Sequence, residues 1–280
     1  MAAAMGTQWQ NFLQNLGEWH GSFADLDAHG ALLRSTASIL SLESHEGGTC
    51  VQFRLRRFAG GDTSGPPSSD HQQEYRSLGK QVTFFDNGSF SKGSLQIAPA
   101  TRSGAEFGFV GPDRRWRLVQ LHGETGVFES LVLIRETRAG SNAGELPPLS
   151  PEHLIGTWQG QAATVEADWP VPSTVPCTSR IERLPGDGLR FSTDLGGELS
   201  SLDGTLQGSV VAIEAPLPQR LHLLPDGGCS RVPLQVSHRQ AFEVEAGWLS
   251  SPTQRQRLIR RYDARGAWLS STHLVETKLA

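Results

Sequence analysis

The sequence predicts an all-β protein built as two tandem antiparallel β-barrels, each preceded by a short helix. Three observations carry this reading. Leu16-Gly17-Glu18-Trp19-His20-Gly21 returns as Ile155-Gly156-Thr157-Trp158-Gln159-Gly160, so one Gly-x-Trp-x-Gly pattern occurs twice, 139 residues apart. Near the other end of each copy, Arg117-Leu118-Val119, Gly126, Phe128 and Glu136-Thr137-Arg138 recur as Arg257-Leu258-Ile259, Gly266, Trp268 and Glu276-Thr277-Lys278, at an offset of 140. Two distant anchors holding nearly one spacing indicate duplication, and the period is too long for a solenoid repeat, so each copy must bury its own core. Finally, most of the chain reads as short apolar runs bounded by glycine, proline or Asp-Asn-Gly turns, and a closed sheet removes the edges that so many strands would expose.

The elements follow in order. Over 7–16, Trp9, Phe12, Leu13 and Leu16 fall at i, i+3, i+4 and i+7, one face of a short helix. Strands are predicted at 37–42, 49–58, 74–79, 81–85, 89–97, 106–110, 115–122 and 127–137. In the second copy Ser150 is a candidate N-cap, Pro151 suits the first helical position and Glu152 favours the positive end of the dipole. Strands follow at 178–184, 189–193, 201–206, 209–214, 220–224, 232–244, 254–263 and 267–277. The Gly/Ser/Pro-rich run Gly60 to His71 reads as a mobile surface loop, and 138–149 as a linker between domains at 1–137 and 150–280.

Composition narrows the function. The chain has 25 basic against 29 acidic residues, split as 13 against 14 up to Gly140 and 12 against 15 beyond it. Neither half has the basic excess that a nucleic acid or an anionic membrane would require. No apolar run reaches the roughly 18 residues of a spanning helix, and the leader Met1 to Met5 lacks the parts of a secretory signal. Cys50, Cys177 and Cys229 are odd in number and far apart, so reduced thiols and a cytoplasmic location are expected. The nine histidines form no metal-binding spacing, and no metal is expected. There is no Gly-x-Ser-x-Gly elbow or phosphate-binding glycine loop, and Cys177 has the surroundings of a small buried thiol.

A helical turn followed by Gly-x-Trp resembles the calycin superfamily of lipocalins and fatty-acid-binding proteins. In lipocalins a basic residue late in the barrel packs over that tryptophan, which implies that Arg117 covers Trp19 and Arg257 covers Trp158, closing one barrel end by cation-π contact. More narrowly, Leu16 to Phe23, Phe53-Arg-Leu-Arg-Arg-Phe58, Arg257-Leu-Ile-Arg-Arg-Tyr-Asp263 and Gly266-Ala-Trp268 resemble a family of tandem calycin proteins of cyanobacteria and plastids, described mainly as of unknown function. Related single-barrel calycins resemble lyases that attach bilins to phycobiliproteins, so a bilin lyase-like chaperone is one functional alternative.

Arg260-x-Tyr262 has the spacing of the Arg-x-Tyr pair with which fatty-acid-binding proteins hold a ligand carboxylate. Strand alternation separates Leu258, Arg260 and Tyr262 from Arg257, Ile259 and Arg261, and the less charged face is expected to point into the barrel. The equivalent first-copy positions are Gln120 and His122, so only the second barrel would carry the pair; surface arginines on an outward-facing strand are the alternative. The aromatic residues of both copies would stack on a tetrapyrrole or carotenoid, or simply fill a core. The functional expectation is non-enzymatic binding of a small apolar ligand, a pigment, tetrapyrrole or fatty acid, with a photosynthetic protein as a candidate partner. The alternatives are a bilin lyase-like activity using Glu243, Glu245 and Arg260, and a ligand-free scaffold that binds a protein through the Gly60 to His71 loop.

Overall fold

The computed structural model describes residues 7–59 and 61–280; the leader Met1 to Met5 and Gly60 lie outside them. The N-terminal half comprises α1 (Gln8–Leu13), β1 (Gly17–Asp27), β2 (Leu32–His45), β3 (Cys50–Phe58), β4 (Ser69–Tyr75), β5 (Val82–Phe84), β6 (Phe90–Gly93), β7 (Ser103–Val110), β8 (Arg114–His122) and β9 (Phe128–Arg138). The C-terminal half comprises α2 (Pro151–Leu154), β10 (Gly156–Glu166), β11 (Trp169–Arg183), β12 (Gly188–Leu195), β13 (Glu198–Gln207), β14 (Val210–Ile213), β15 (Gln219–Leu223), β16 (Gly228–Pro233), β17 (Phe242–Ser251), β18 (Gln254–Tyr262) and β19 (Trp268–Lys278). None of the described helices is long and apolar enough to cross a membrane.

Both helices do the same local work. Thr7 caps α1 through a capping box with Gln10, and Ser150 caps α2 with His153. The C-terminal end of each helix returns a carbonyl to the tryptophan four residues on: Trp19 Nε1–H donates to Asn15, just past α1 (3.0 Å), and Trp158 Nε1–H to Leu154, the last residue of α2 (2.8 Å). Both indoles are fully buried. The flanking glycines are required by geometry, since Gly17 and Gly156 adopt φ of 129° and 127°. At Gly21 and Gly160 a Cβ would overlap the carbonyls of Arg135 and Val275 on the paired last strand.

The two sheets differ in closure. The C-terminal ten strands close, with β19 pairing along β10, whereas the N-terminal nine strands run in the order β4-β3-β2-β1-β9-β8-β7-β6-β5 and stay open between β4 and β5. Both copies thus follow the expected antiparallel barrel plan, the second as a closed barrel and the first as a curled half-barrel. In the second copy β14 bridges β13 to β15. In the first copy α1 takes the equivalent edge: Gln8 Nε2 donates to the Phe84 carbonyl (2.9 Å), Phe84 N–H donates to Gln8 Oε1 (2.7 Å) and Asn11 Nδ2 donates to the same carbonyl (3.2 Å). Glutamine and asparagine amides thus satisfy the edge that a strand would otherwise pair.

The halves pack through their outer sheet faces. One apolar cluster joins Phe107, Phe109, Trp116 and Leu118 of the first half to Val244, Trp248, Leu258 and Trp268 of the second. The contact is pseudo-symmetric down to the backbone. Ile97 N–H donates to Gly266 (2.7 Å) and Val236 N–H to Gly126 (2.9 Å), while Trp268 N–H donates to Leu95 and Phe128 N–H to Leu234, both at 2.9 Å. The segment after Arg138 also docks on the second half, with Leu149 N–H donating to Leu224 and Leu146 N–H to Asp226 Oδ1.

Candidate functional site

The C-terminal barrel is hollow, enclosing a cavity of about 560 Å³, a size proper to small-molecule sites. Its walls are chemically unlike. On one side Ile181, Phe191, Leu202, Ile213 and Leu221 make an apolar surface; on the other, β16 to β18 present Arg231, Glu243, Glu245, Arg255, Arg257 and Arg261. Alternation produces the second wall, because in β17 and β18 the odd-numbered residues point inward and the even-numbered residues, Val244, Ala246, Leu258 and Arg260, join the contact between halves.

The charged wall is tied together by Glu276, which is fully buried. Arg255 Nε (2.9 Å) and Arg257 Nε (3.0 Å) both donate to its Oε2, and Ser179 Oγ donates to Oε1. Burial alone would raise the Glu276 carboxyl, but Arg257 and Arg255 outweigh it and hold it at about 2. Arg257 also reaches Glu245 (3.2 Å), which Arg231 grips from the other side at 2.7 Å. Burial would likewise raise Glu245, and Arg231 and Arg257 overcome it, so this carboxylate stays ionised. Arg231 further pairs with Glu243, which Arg261 contacts at the rim (3.2 Å).

Four arginines (Arg231, Arg255, Arg257, Arg261) thus share three glutamates (Glu243, Glu245, Glu276), leaving one positive charge in excess. The shortfall falls on Arg255. Its Nη2 is buried and meets no hydrogen-bond acceptor among the described residues. Desolvation is the largest influence on it and, with repulsion from Arg257, lowers its pKa despite Glu276. The cavity also meets the Cys229 thiol, which burial pushes up to about 12, so it is an inert wall atom. Cys177 is buried too, its thiol raised to about 11 chiefly by desolvation.

The residues expected from sequence lie in three places. Trp19 and Trp158 sit at the helix-closed ends, but the cations over them are Arg115 (4.9 Å) with Arg138 (4.3 Å), and Arg255 (4.5 Å) with Lys278 (5.3 Å). The assignment of Arg117 and Arg257 to those indoles is therefore corrected by one inward-facing position. They lie two residues further along the same face: Arg117 approaches Phe23 (5.6 Å) and pairs with Glu136 and Glu106, as Arg257 does with Glu276 and Glu245.

Arg260 does not enter the cavity. It is fully buried against the N-terminal half, donating to the carbonyls of Gly93 (3.3 Å) and Ser94 (3.2 Å) and to the Tyr262 hydroxyl (2.9 Å), with Trp268 beneath it at 4.4 Å. Tyr262 donates to Ser94 (3.0 Å) and touches the cavity only beside the bulge that ends β18. The expected inward face is thus the outward one. The reason is that outward here means buried against a second sheet, so low charge did not mark the barrel interior. The sequence reading missed Arg255, Arg231 and Glu276 as a set, although Arg115/Arg255 and Glu136/Glu276 recur at the same offset of 140.

Residues 5–141 match the family described as the N-terminal domain of unknown function DUF3598, and residues 145–279 match the C-terminal domain of Biogenesis factor required for ATP synthase 1. No curated protein matches the chain. Among solved structures, a DUF3598 protein of unknown function from Nostoc punctiforme PCC 73102 is 39% identical, covers 98% of this chain and 100% of its own, and superposes with a TM-score of 0.91. The S-type phycobiliprotein lyase CPES from Guillardia theta is far more distant, 15% identical over 46% of this chain and 90% of its own, with a TM-score of 0.37. With that Nostoc protein matching along essentially its whole length, the chain belongs to the DUF3598 family.

Proposed function

We propose that the C-terminal barrel carries a small apolar molecule bearing one acid group, such as a lipid-derived or pigment carboxylate, without transforming it. The observation that supports this is the division of the cavity into an apolar wall and a charged wall with one more arginine than glutamate, where Arg255 Nη2 has no acceptor among the described residues. A carboxylate beside Arg255 would neutralise the excess charge and give Nη2 its missing acceptor, while Phe191, Ile213 and Leu221 would receive the apolar body. The acid-binding role expected of Arg260 thereby passes to Arg255. Glu243 and Glu245 are engaged by arginines, which disfavours either as a proton donor. Native mass spectrometry of protein from its own cells should show a bound small acid, and Ile213→Trp, filling the cavity, should lose it. A clean apo mass together with no uptake of fatty-acid probes would sink the reading.

A second reading is favoured by the match of residues 145–279 to a domain named for ATP synthase biogenesis. In it, the chain assists assembly of that complex by binding a protein partner. Trp169, Val171 and Leu199 are 66%, 61% and 73% exposed, and the hairpins bearing them carry Glu166, Asp168, Asp194 and Glu198, which suits a partner with a basic surface. Trp169→Ser with Leu199→Ser should abolish co-purification of ATP synthase subunits while leaving stability unchanged; retained co-purification would remove this surface from consideration.

A further inference from the structure

We propose that the N-terminal half-barrel is a second, separate binding site, opening sideways between β4 and β5, for a monoanionic amphipath smaller than the ligand of the C-terminal barrel. The concave face of the open sheet encloses a cavity of about 330 Å³ with contributions from α1, both edge strands and the charged strands β6 to β8. Phe12, Leu42, Phe53, Tyr75, Phe84 and Phe90 supply an apolar side. The opposite side repeats the charged wall of the other half, position by position. Arg115 and Arg117 share Glu136 as Arg255 and Arg257 share Glu276, and Glu106 takes Arg117 at 2.9 Å as Glu245 takes Arg257 at 3.2 Å.

The difference lies at the remaining cation. Arg231 is clamped on Glu245 at 2.7 Å with 10% of its side chain exposed, whereas its counterpart Lys92 stands 3.8 Å from Glu106 and is 51% exposed. Lys92 pairs with Val82 of the edge strand β5, and both line the cavity. Three cations, Lys92, Arg115 and Arg117, therefore face two carboxylates, Glu106 and Glu136, and the loosely held one is reachable from solvent. An acid head group would dock on Lys92 at the opening with its apolar body against Phe53, Phe84 and Phe90. Arg115 Nη2 lacks a hydrogen-bond partner among the described residues as Arg255 Nη2 does, so the two halves share the buried arginines and differ at the opening, where Lys92 is exposed and Arg231 is not. Among the described residues no backbone pairing joins β4 to β5; α1 covers the edge at Phe84, and the exposed residues Ser77, Gly79 and Gln81 line the opening that remains.

Decanoic acid, titrated by calorimetry, tests the site on the full chain. Wild type should bind two molecules. Lys92→Glu should weaken one site at least tenfold, and Gln81→Trp, which fills the opening from an exposed position, should remove the same site, while Ile213→Trp removes only the other. A single site lost in Ile213→Trp but untouched by Lys92→Glu and Gln81→Trp would overturn this inference and leave the C-terminal carrier standing. A single site with the opposite pattern would support it and sink the C-terminal reading; no binding at all would overturn both.

Discussion

Arg260 and Gln120 are the same position in the two copies, and each reaches across the contact between halves to neighbouring strands of the other half. Gln120 Nε2 donates to Ser230 Oγ (2.8 Å) and to the Glu245 carbonyl (2.9 Å); Arg260 donates to the carbonyls of Gly93 and Ser94 and, through Ser271, connects to Ser91. Their neighbours agree, since Tyr262 donates to Ser94 while the His122 ring bonds the Pro233 carbonyl. The difference between the copies is thus two solutions to one task, joining the sheets, and it does not separate a binding barrel from an empty one.

That relationship predicts a separation of stability from binding. Arg260→Ala leaves buried carbonyls and the Tyr262 hydroxyl without their partner and should cost about 2 to 4 kcal/mol. Urea unfolding measures the loss. Uptake of a fatty-acid probe by the C-terminal cavity should stay within twofold of wild type at temperatures where the variant is folded. A large loss of affinity with little loss of stability would return Arg260 to the ligand site.

The edge cap at β5 gives a second test. Gln8→Ala removes both hydrogen bonds that mimic a paired strand at Phe84, and should cost about 1 to 2 kcal/mol. The Phe84 amide should exchange with deuterium markedly faster than in wild type, and the freed edge should raise the tendency to associate. Unchanged exchange at Phe84 would mean that α1 does not guard this edge.

Much of this architecture was legible because duplication is visible in spacing: the Gly-x-Trp-x-Gly pair announces two tryptophans at helix-closed ends, and both copies obey it. The failure to close the first sheet was not legible. It depends on β14 having no counterpart in the first copy, where Gln8 reaches Phe84 across 76 positions, a pairing no local pattern announces. The charged wall was half legible. Alternation groups Arg255, Arg257, Ile259 and Arg261 on one face, but choosing that face as interior requires knowing that the other is covered by a second sheet.

Acid should weaken the contact between halves through His273. Its ring is buried, with Nε2 2.9 Å from Gln256 Oε1, and burial pushes its pKa down to about 3 from 6.5. Because the unfolded chain binds this proton near pH 6.5 and the folded chain does not until about pH 3, stability must fall as pH drops through that window. His122 and His222, lowered mainly by burial, act in the same direction. Each unit of difference is worth about 1.4 kcal/mol. His273→Gln should flatten the stability profile between pH 6.5 and 4, read by chemical unfolding at each pH; an unchanged slope would show that this histidine does not titrate on unfolding.

The charged wall of the C-terminal cavity makes the sharpest demand. Glu276→Gln strands Arg255 and Arg257 beside a neutral amide, and a broken buried ion pair of this kind costs about 3 to 5 kcal/mol. The sign of its pH dependence follows from the folded carboxyl lying at about 2 against an ordinary 4.5. The stability it contributes is present above 4.5 and is lost as pH falls toward 2, so the variant should lag wild type strongly at pH 7 and much less at pH 3. Glu136→Gln should behave alike, because Arg115 and Arg117 rest on that carboxylate in the same manner and it too is held low, its arginines overcoming burial. A deficit of equal size at both pH values would show that shape, not charge, makes these glutamates necessary. A bound carboxylate would then have no electrostatic vacancy to fill beside Arg255.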